Sequence, residues 1–281
     1  MIDFKAVYVR LSISDLWLDN KEEIKTQNLK GETMKVSEIV SYLDELLNIR
    51  SIEDISLNGL QVGSDHEVKR VAVSVDASLE VFKEAKDADM LIVHHGLYWG
   101  KPIPIVDAMF ERIKFLIDND VALYAAHLPL DLHPEYGNNV EGIRLLGIEP
   151  SGEFGNYHGI NIGYEFEFER PVNLDELKAN FDKALGTDSI LWDFGPKEIK
   201  RGAYVSGDAI SLLPEAIEKK LDIYITGEPR HSYYWNAFEA GINVLFGGHY
   251  KTETLGVRTL GKHLEEKFGL EVYFINKPTG F

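Results

Sequence analysis

The chain of 281 residues contains no cysteine. Disulfide bonds, thiolate catalysis and cysteine-ligated zinc or iron–sulfur sites are therefore excluded. It also lacks an apolar run of about 18 residues, so no membrane-spanning helix and no membrane partner are expected. The first residues carry an early acid and no long apolar stretch, unlike a secretory signal, and the cytoplasm is the expected compartment.

Positive charge is scarce, with 29 Lys and Arg against 46 Asp and Glu, for a net charge of −17. Extended binding to a nucleic-acid backbone is unfavourable for such a surface, because it needs clustered Lys and Arg. A local cationic or metal-lined cavity can still accept a phosphate. The sequence has no Walker loop, Gly-x-Gly-x-x-Gly, Gly-x-Ser-x-Gly or His-Glu-x-x-His, so nucleotide binding through a phosphate loop is unsupported.

Two stretches, residues 69–131 and 200–253, follow the same order of strand-like segments. Each ends in a histidine followed four residues later by a carboxylate: His127 and Asp131 in the first, His249 and Glu253 in the second. A duplicated stretch predicts a duplicated structural unit. Two such units facing each other would bring their strand-end residues to one site.

Strand and helix patterns alternate along the chain, which predicts an α/β fold with mostly parallel sheets flanked by helices. Met90–Val93 is wholly apolar, as expected of a buried parallel strand. Ile160–Glu169 instead alternates apolar and polar residues, as a half-exposed strand does. We predict four segments: an N-terminal appendage (1–33), a first repeat half (34–150), an inserted α+β segment (151–199) and a second repeat half (200–281). Within this division Met34 begins the core fold, with Ser37 as the cap of its first helix.

The pair His94-His95 follows an apolar strand and precedes Gly96. In open α/β sheets, ligands bind just beyond the carboxyl ends of strands. Neighbouring side chains of a strand point to opposite faces, so two adjacent histidines share a site only where the strand ends, as Gly96 allows. The ordinary alternative is a pair of surface histidines in a turn. The residues after Gly96, up to Pro104, are predicted to form a flap or interface loop.

The two His-x-x-x-carboxylate motifs also follow apolar strands. Pro129 between His127 and Asp131 indicates a shaped loop rather than a helix. If residues 249–253 are helical, His249 and Glu253 share one face. The alternatives are a loop carboxylate beside a core histidine and a helix-start acid stabilised by the helix dipole. Histidines and carboxylates together are the ligand types of first-row divalent metals.

Four polar residues near the second motif are candidates for supporting roles. His231 is a candidate general acid or base, and Glu228 is its candidate partner or the activator of a water. Arg230 and Lys251 are candidate phosphate contacts. Ordinary surface polarity is the alternative for each of them.

Six motifs occur in chain order between Met34 and the end: Asn58-Gly-Leu-Gln-Val-Gly63, Ile92-Val-His-His-Gly-Leu-Tyr-Trp99, Ala126-His-Leu-Pro-Leu-Asp131, Gly137-Asn-Asn139, Thr226-Gly-Glu228 and Gly248-His-Tyr-Lys-Thr-Glu253. Together they resemble the dinuclear-metal hexamer family, described as NGG-interacting factor three-like or as "GTP cyclohydrolase type two homologue". Residues 1–33 lie outside the resemblance.

The resemblance implies a two-domain α/β subunit that assembles into a toroidal homo-hexamer with two divalent metal ions per subunit. The implied ligands are His94, His95, Asp131, His249 and Glu253, with His127 near the metals but behind the ligands. No sulfur ligand is available, and these residue types suit Zn, Fe, Mn, Co or Ni.

Three functions are compatible with such a site. The first is a metal-dependent hydrolase acting on a nucleotide-like or phosphate-bearing substrate, with Asp131 bridging two ions and His231 or Glu228 moving protons. The second is a non-catalytic metal-containing ring that binds nucleic acid, through a local site, or a protein partner. The third is a structural or storage metal with a closed coordination shell.

Overall fold

The computed structural model describes residues 33–101 and 103–281. Residues 1–32 of the predicted appendage lie outside this range. The strands are β1 (Met34–Lys35), β2 (Gly59–Val62), β3 (Glu67–Val68), β4 (Arg70–Asp76), β5 (Met90–His95), β6 (Ala122–Ala125), β7 (Gly152–Tyr157), β8 (Ile160–Asn173), β9 (Ile190–Trp192), β10 (Glu198–Tyr204), β11 (Ile223–Thr226), β12 (Asn243–Phe246) and β13 (Glu271–Phe274).

The helices are α1 (Val36–Leu46), α2 (Leu79–Glu84), α3 (Asp107–Asp118), α4 (Leu128–Leu132), α5 (Asn138–Arg144), α6 (Leu174–Leu185), α7 (Leu213–Glu218), α8 (Tyr234–Ala240), α9 (His249–Thr252) and α10 (Thr254–Phe268). Short 3₁₀ turns precede α7 and α8. The apolar pattern of the sequence predicts helices at Leu174–Leu185 and Thr254–Phe268 and a strand at Asn243–Phe246, and α6, α10 and β12 have these bounds. No helix in the described part of the chain is long and apolar enough to cross a membrane.

A five-stranded sheet has the order β13-β4-β5-β6-β2, and only its edge strand β2 runs antiparallel to its neighbour. Successive residues of strands β4 and β5 point to opposite faces of the sheet and pack in two separate hydrophobic cores. Val73 and Ile92 pack towards α1 and α10, whereas Leu91 and Val93 pack towards α2 and α3. Burial on both faces explains the unbroken apolar run in β5.

The second sheet has six strands in the order β7-β8-β10-β11-β12-β9. Only β10, β11 and β12 pair in parallel, while the β7–β8 hairpin and β9 pair antiparallel. The prediction of mostly parallel sheets is therefore wrong for this sheet. A hairpin needs only a tight turn to add antiparallel strands, so residues 151–199 could extend this sheet without a crossover helix.

Residues 151–199 supply strands β7, β8 and β9 to the six-stranded sheet, and they also form helix α6. The end of the chain returns to the other sheet, where α10 packs on β4 and β13 pairs with β4 in parallel. Segment 200–281 therefore contributes to both sheets. The two sheets share an order of three parallel strands followed by an antiparallel one, β4-β5-β6-β2 and β10-β11-β12-β9. The internal repeat remains a prediction.

The first helix begins one residue earlier than its predicted cap. Lys35 is the N-cap, and its backbone N–H donates to Glu38 Oε2 at 2.7 Å. Ser37 lies inside the helix, so its prediction as the cap is wrong. No serine cap is needed there, because the first amides of the helix bond to another segment: Val36 N donates to the His66 carbonyl and Ser37 N donates to Asp65 Oδ1, each at 3.0 Å.

Candidate metal centre

The site lies where the carboxyl ends of strands from both sheets meet. His94 and His95 end β5, His127 follows β6, and His249 follows β12 through two glycines. This is where ligands bind in open α/β sheets. The rings converge: centroid separations are 4.7 Å for His94–His95, 5.0 Å for His94–His127 and 5.6 Å for His95–His249.

His94 is completely buried and has its tautomer fixed. Its Nδ1 lies 2.9 Å from the Ala126 carbonyl oxygen, which can only accept, so Nδ1 carries the hydrogen. In the neutral ring Nε2 then carries the lone pair, and it lies 3.6 Å from Asp131 Oδ2 and 3.6 Å from Glu253 Oε1. Among the described residues it has no hydrogen-bond partner. A buried, unpartnered imidazole nitrogen facing carboxylates has the environment of a metal ligand.

His95 is oriented in the same way by a carboxylate. Its Nδ1 lies 2.8 Å from Asp76 Oδ1 at the end of β4, and its Nε2 lies 3.2 Å from Glu253 Oε2. A carboxylate behind a ligating histidine fixes the ring and makes it a better donor to a metal. Both histidines of the pair therefore turn Nε2 towards the same carboxylate.

His127 and Asp131 lie on a helical turn rather than a loop. Helix α4 spans Leu128–Leu132, and the Asp131 amide donates to the His127 carbonyl at 3.1 Å. The prediction that Pro129 prevents a helix is wrong because proline is tolerated in the first turn, where its missing N–H has no partner to lose. Asp131 Oδ1 accepts from Asn138 at 2.8 Å and from Ser206 at 3.0 Å, which leaves Oδ2 facing His94.

His249 and Glu253 lie one helical turn apart, as the helical alternative for residues 249–253 requires. His249 Nε2 is 3.2 Å from Glu253 Oε2, and its Nδ1 is 3.5 Å from Glu228 Oε2. Glu253 is buried, with Oε1 towards His94 and Oε2 between His95 and His249. Its carboxylate thus lies between two groups of ligand atoms, the position that the sequence led us to expect for Asp131.

The distances between these atoms fit a metal. Ligand atoms bound to one zinc-like ion in a tetrahedron are roughly 3.3–3.6 Å apart. Two groups of three residues have ligand atoms within 4.8 Å of one another: His94, His95 and His127, and His95, His249 and Glu253. His127 is therefore within ligand distance as well, although the resemblance implies a supporting position. The donor set contains no sulfur, as hard or borderline divalent ions prefer.

The histidines and carboxylates of the site strongly shift one another's pKa values. Burial opposes charge on His95, but Glu253 and Asp76 outweigh it and raise its pKa to about 10. Burial also acts to lower the pKa of His94 and of His249. Asp131 and Glu253 outweigh it at His94, and Glu253 outweighs it at His249, so both pKa values are raised. Burial would raise the pKa of Glu253, yet the surrounding histidines hold it well below its usual range. Positive charge at this position is therefore strongly favoured, whether protons or metal ions supply it.

Gly207, which follows β10, makes room for Glu253. Its φ of +65° is in the left-handed region, and a Cβ there would overlap Glu253 Oε1. The Gly207 amide N–H donates a hydrogen bond to Thr252 Oγ1 at 3.1 Å. We expect Gly207→Ala to lower the free energy of unfolding by about 1–3 kcal/mol and, by displacing Glu253, to weaken metal binding by about 10- to 100-fold.

Denaturant unfolding and metal titration test this expectation. Gly269→Ala is the matched control, because Gly269 has a φ of +73° but a methyl group added there would meet no atom within 4 Å. The control should lose stability without losing metal. Equal metal binding by both variants would contradict a steric role for Gly207.

Asp54 forms a buried pair with His127 that the sequence did not reveal. His127 Nδ1 lies 3.0 Å from Asp54 Oδ1, and the Asp54 side chain is 1% exposed. Asp54 also accepts from Leu128 N at 3.0 Å, Asn58 Nδ2 at 2.9 Å and Ser56 N at 3.1 Å. Burial would raise the pKa of Asp54, but the hydrogen bond and charge of His127, together with the bonds from Asn58 and Ser56, lower it to about 2. His127 is thereby fixed with Nε2 towards His94 and His95.

A cavity of about 640 Å³ opens beside these residues and is the candidate substrate site. His95, His127, Asp131, His249 and Glu253 reach its surface. Trp99 forms one wall, with its ring centroid 5.0 Å from that of His127. Two contacts hold the loop around Trp99 in this structure: the Leu57 amide donates to the Tyr98 carbonyl at 3.0 Å, and Ser56 and Trp99 form an antiparallel bridge.

The four residues predicted to support the site lie in different parts of the structure. Glu228 lies behind His249, where it can orient that ring. Arg230 lines the cavity but forms an ion pair with Asp208. Lys251 lines a different cavity, and His231 is exposed and does not line the substrate cavity. His127 is therefore better placed than His231 for proton transfer.

The sequence profile of the family described as Duf34/NIF3 (NGG1p interacting factor 3) matches residues 34–280. Two relatives carry the name "GTP cyclohydrolase 1 type 2 homolog". The protein from Pyrococcus abyssi is 47% identical over 88% of this chain and 100% of its own length, and that from Archaeoglobus fulgidus is 45% identical over 88% and 99%. The crystal structure of TTHA1606 from Thermus thermophilus superposes with a TM-score of 0.80 at 39% identity, covering 88% of this chain and all of that one.

Proposed function

Because the chain belongs to the Duf34/NIF3 family, we propose that it is a two-metal hydrolase acting on a nucleotide-like or phosphate-bearing substrate. The observation that carries this proposal is the position of Glu253, whose two oxygens face separate groups of ligand atoms. One ion would be held by His94, Asp131 and Glu253, and the other by His95, His249 and Glu253. Glu253, rather than Asp131, would be the shared ligand.

Two divalent ions so held would polarise a substrate oxygen and lower the pKa of a water. The chain's own residues do the remaining work. Asp76 and Glu228 orient the rings of His95 and His249. Asn138 and Ser206 hold one oxygen of Asp131, so that the other faces the site. His127, with Asp54 behind it, accepts a proton from water or returns one to the leaving group at Nε2.

Hydrolysis tests the proposal. Protein loaded in turn with Zn, Mn, Fe(II), Co or Ni should release product from a nucleotide or phosphate-ester panel, and chelator should abolish turnover. His231→Ala should keep full activity because that side chain is exposed and outside the cavity. A fully metal-loaded protein that turns over no substrate would overturn the hydrolase assignment.

Metal uptake should release protons, because a histidine must be deprotonated to bind a metal. The raised pKa of His95, about 10, means that this ring is protonated at neutral pH before metal binds. Apparent affinity should therefore rise with pH from about 6 to 9. Calorimetry in buffers of different ionisation enthalpy should detect at least one proton released per chain. Uptake without proton release would contradict the assignment of His95 as a ligand.

We further propose that the subunit assembles into a hexamer. Support comes from a group of exposed apolar side chains at and just beyond the end of the loop that carries Trp99: Ile103, Ile105, Val106 and Phe110. Apolar groups of this kind mark association surfaces. Sedimentation analysis should show a hexamer for the wild type and smaller species for Phe110→Asp. A wild-type protein that sediments as a monomer would contradict the proposed hexamer.

A further inference from the structure

The substrate cavity has one aromatic wall and little positive charge. From these two properties we infer that its ligand is a planar heteroaromatic ring carrying a single phosphate, such as a nucleoside monophosphate, and not a nucleoside triphosphate. The inference deepens the proposed function and rests on it for the presence of metals. The cavity volume of about 640 Å³ lies within the range of small-molecule sites.

Trp99 is the surface on which the ring would lie. Its indole Nε1 donates to the Gly96 carbonyl at 3.0 Å, which fixes the orientation of the ring. The side chain is 39% exposed in spite of its contacts with His95 and His127. A fixed indole with open surface, next to candidate metal ligands, can stack on a heteroaromatic ring while the rest of the ligand reaches the metals.

The remaining walls fit an uncharged ring rather than a phosphate chain. Ile55, Leu128, Val205 and Leu212 line the cavity, and Tyr157 adds a second aromatic side chain. Ser206 and Ser211 are the small hydroxyl groups among them. Apolar walls with a few polar groups are typical of sites that bind a planar ligand and orient it through single hydrogen bonds.

Charge limits the number of phosphates. Among the described residues that line the cavity, Arg230 is the one lysine or arginine, and it forms an ion pair with Asp208. Asp54 adds a negative charge, because its partner His127 is a neutral ring in its proposed role as proton acceptor. Two divalent ions with the ligands Asp131 and Glu253 would leave a net charge of about +2, or about +1 with Asp54 counted, which one phosphate group offsets. The further phosphates of a triphosphate would face carboxylates without a free cation.

Equilibrium binding to metal-loaded, full-length protein tests this inference, with metal content measured again after each titration. The probes are guanosine monophosphate, guanosine triphosphate and ribose 5-phosphate. The monophosphate should bind at least as tightly as the triphosphate. Ribose 5-phosphate, which lacks the ring, should bind at least about tenfold more weakly.

Variants at Trp99 separate stacking from a general loss of structure. Trp99→Leu should weaken binding of guanosine monophosphate about tenfold and leave ribose 5-phosphate unchanged, whereas Trp99→Phe should keep most of the affinity. Trp235→Leu is the control, since Trp235 is 58% exposed and does not line the cavity. Triphosphate binding more than tenfold tighter than monophosphate binding, no binding of any ring-containing probe, or an unchanged Trp99→Leu would overturn the inference.

The outcomes also separate this inference from the proposed function. Ring-dependent binding without hydrolysis of any substrate would refute the hydrolase and leave the ligand class standing. Hydrolysis of ring-free phosphates, unaffected by Trp99→Leu, would refute the ligand class and leave the hydrolase standing.

Discussion

Glu253→Gln should abolish the binding of both metal ions. The carboxylate is buried and contacts His94 through one oxygen and His95 and His249 through the other. Glutamine keeps the shape but removes the charge and one acceptor oxygen. Loss of a residue that only supports a ligand costs about 10- to 100-fold in metal affinity, so loss of a shared ligand should exceed about 100-fold at each ion. Metal titration followed by elemental analysis measures the effect.

Glu228→Gln is the control for this substitution. Glu228 lies 3.5 Å from His249 Nδ1, on the side away from Glu253, so its loss should weaken only the ion held by His249. The expected effect is about 10- to 100-fold. If Glu253→Gln retained one tightly bound ion while Glu228→Gln lost both, Glu253 would not be the shared ligand.

Asp54→Asn should lower kcat by about 100- to 10,000-fold while the protein keeps its metals. Asp54 fixes His127 with the hydrogen on Nδ1 and the lone pair on Nε2. An amide nitrogen facing Nδ1 would favour the opposite tautomer, with the hydrogen on Nε2. Proton acceptance at the cavity would be lost although His127 itself remained. Activity of metal-saturated protein, with metal content measured in parallel, tests this expectation.

Asp44→Asn supplies the comparison, because Asp44 accepts a hydrogen bond from Tyr124 at 3.0 Å and does not line the cavity. Asp44→Asn should lower the free energy of unfolding and leave the activity per metal-loaded chain unchanged. If Asp54→Asn lost metal in proportion to activity, His127 would act as a ligand and not as the group that moves protons. That result would favour the group His94, His95 and His127 as a site for one ion.

Much of this site can be read from the sequence because its residues occupy strand ends. The apolar run before His94-His95 and the paired His-x-x-x-carboxylate motifs place six candidate residues at strand ends. The structure brings five of them, all but His127, into a chain of contacts of 3.2–3.6 Å. Apolar periodicity likewise gives the bounds of α6 and α10, because both are amphipathic and end at a left-handed glycine.

What the sequence does not reveal depends on contacts between distant segments. Asp54 lies in no motif, and Asp76 lies in the first repeated stretch without a predicted role; only folding brings them behind His127 and His95. The position of Glu253 among His94, His95 and His249 depends on how the two sheets face each other. The prediction of a loop at Pro129 was wrong because a proline is compatible with the first turn of a helix as well as with a loop.

Elemental analysis of untagged protein tests the central claim most directly, in the wild type and in the double variant Asp131→Ala with His249→Ala. We predict about two divalent ions per wild-type chain and almost none in the double variant. A wild-type chain that binds no metal even after reconstitution, or a double variant that keeps both ions, would contradict a dinuclear centre at this site.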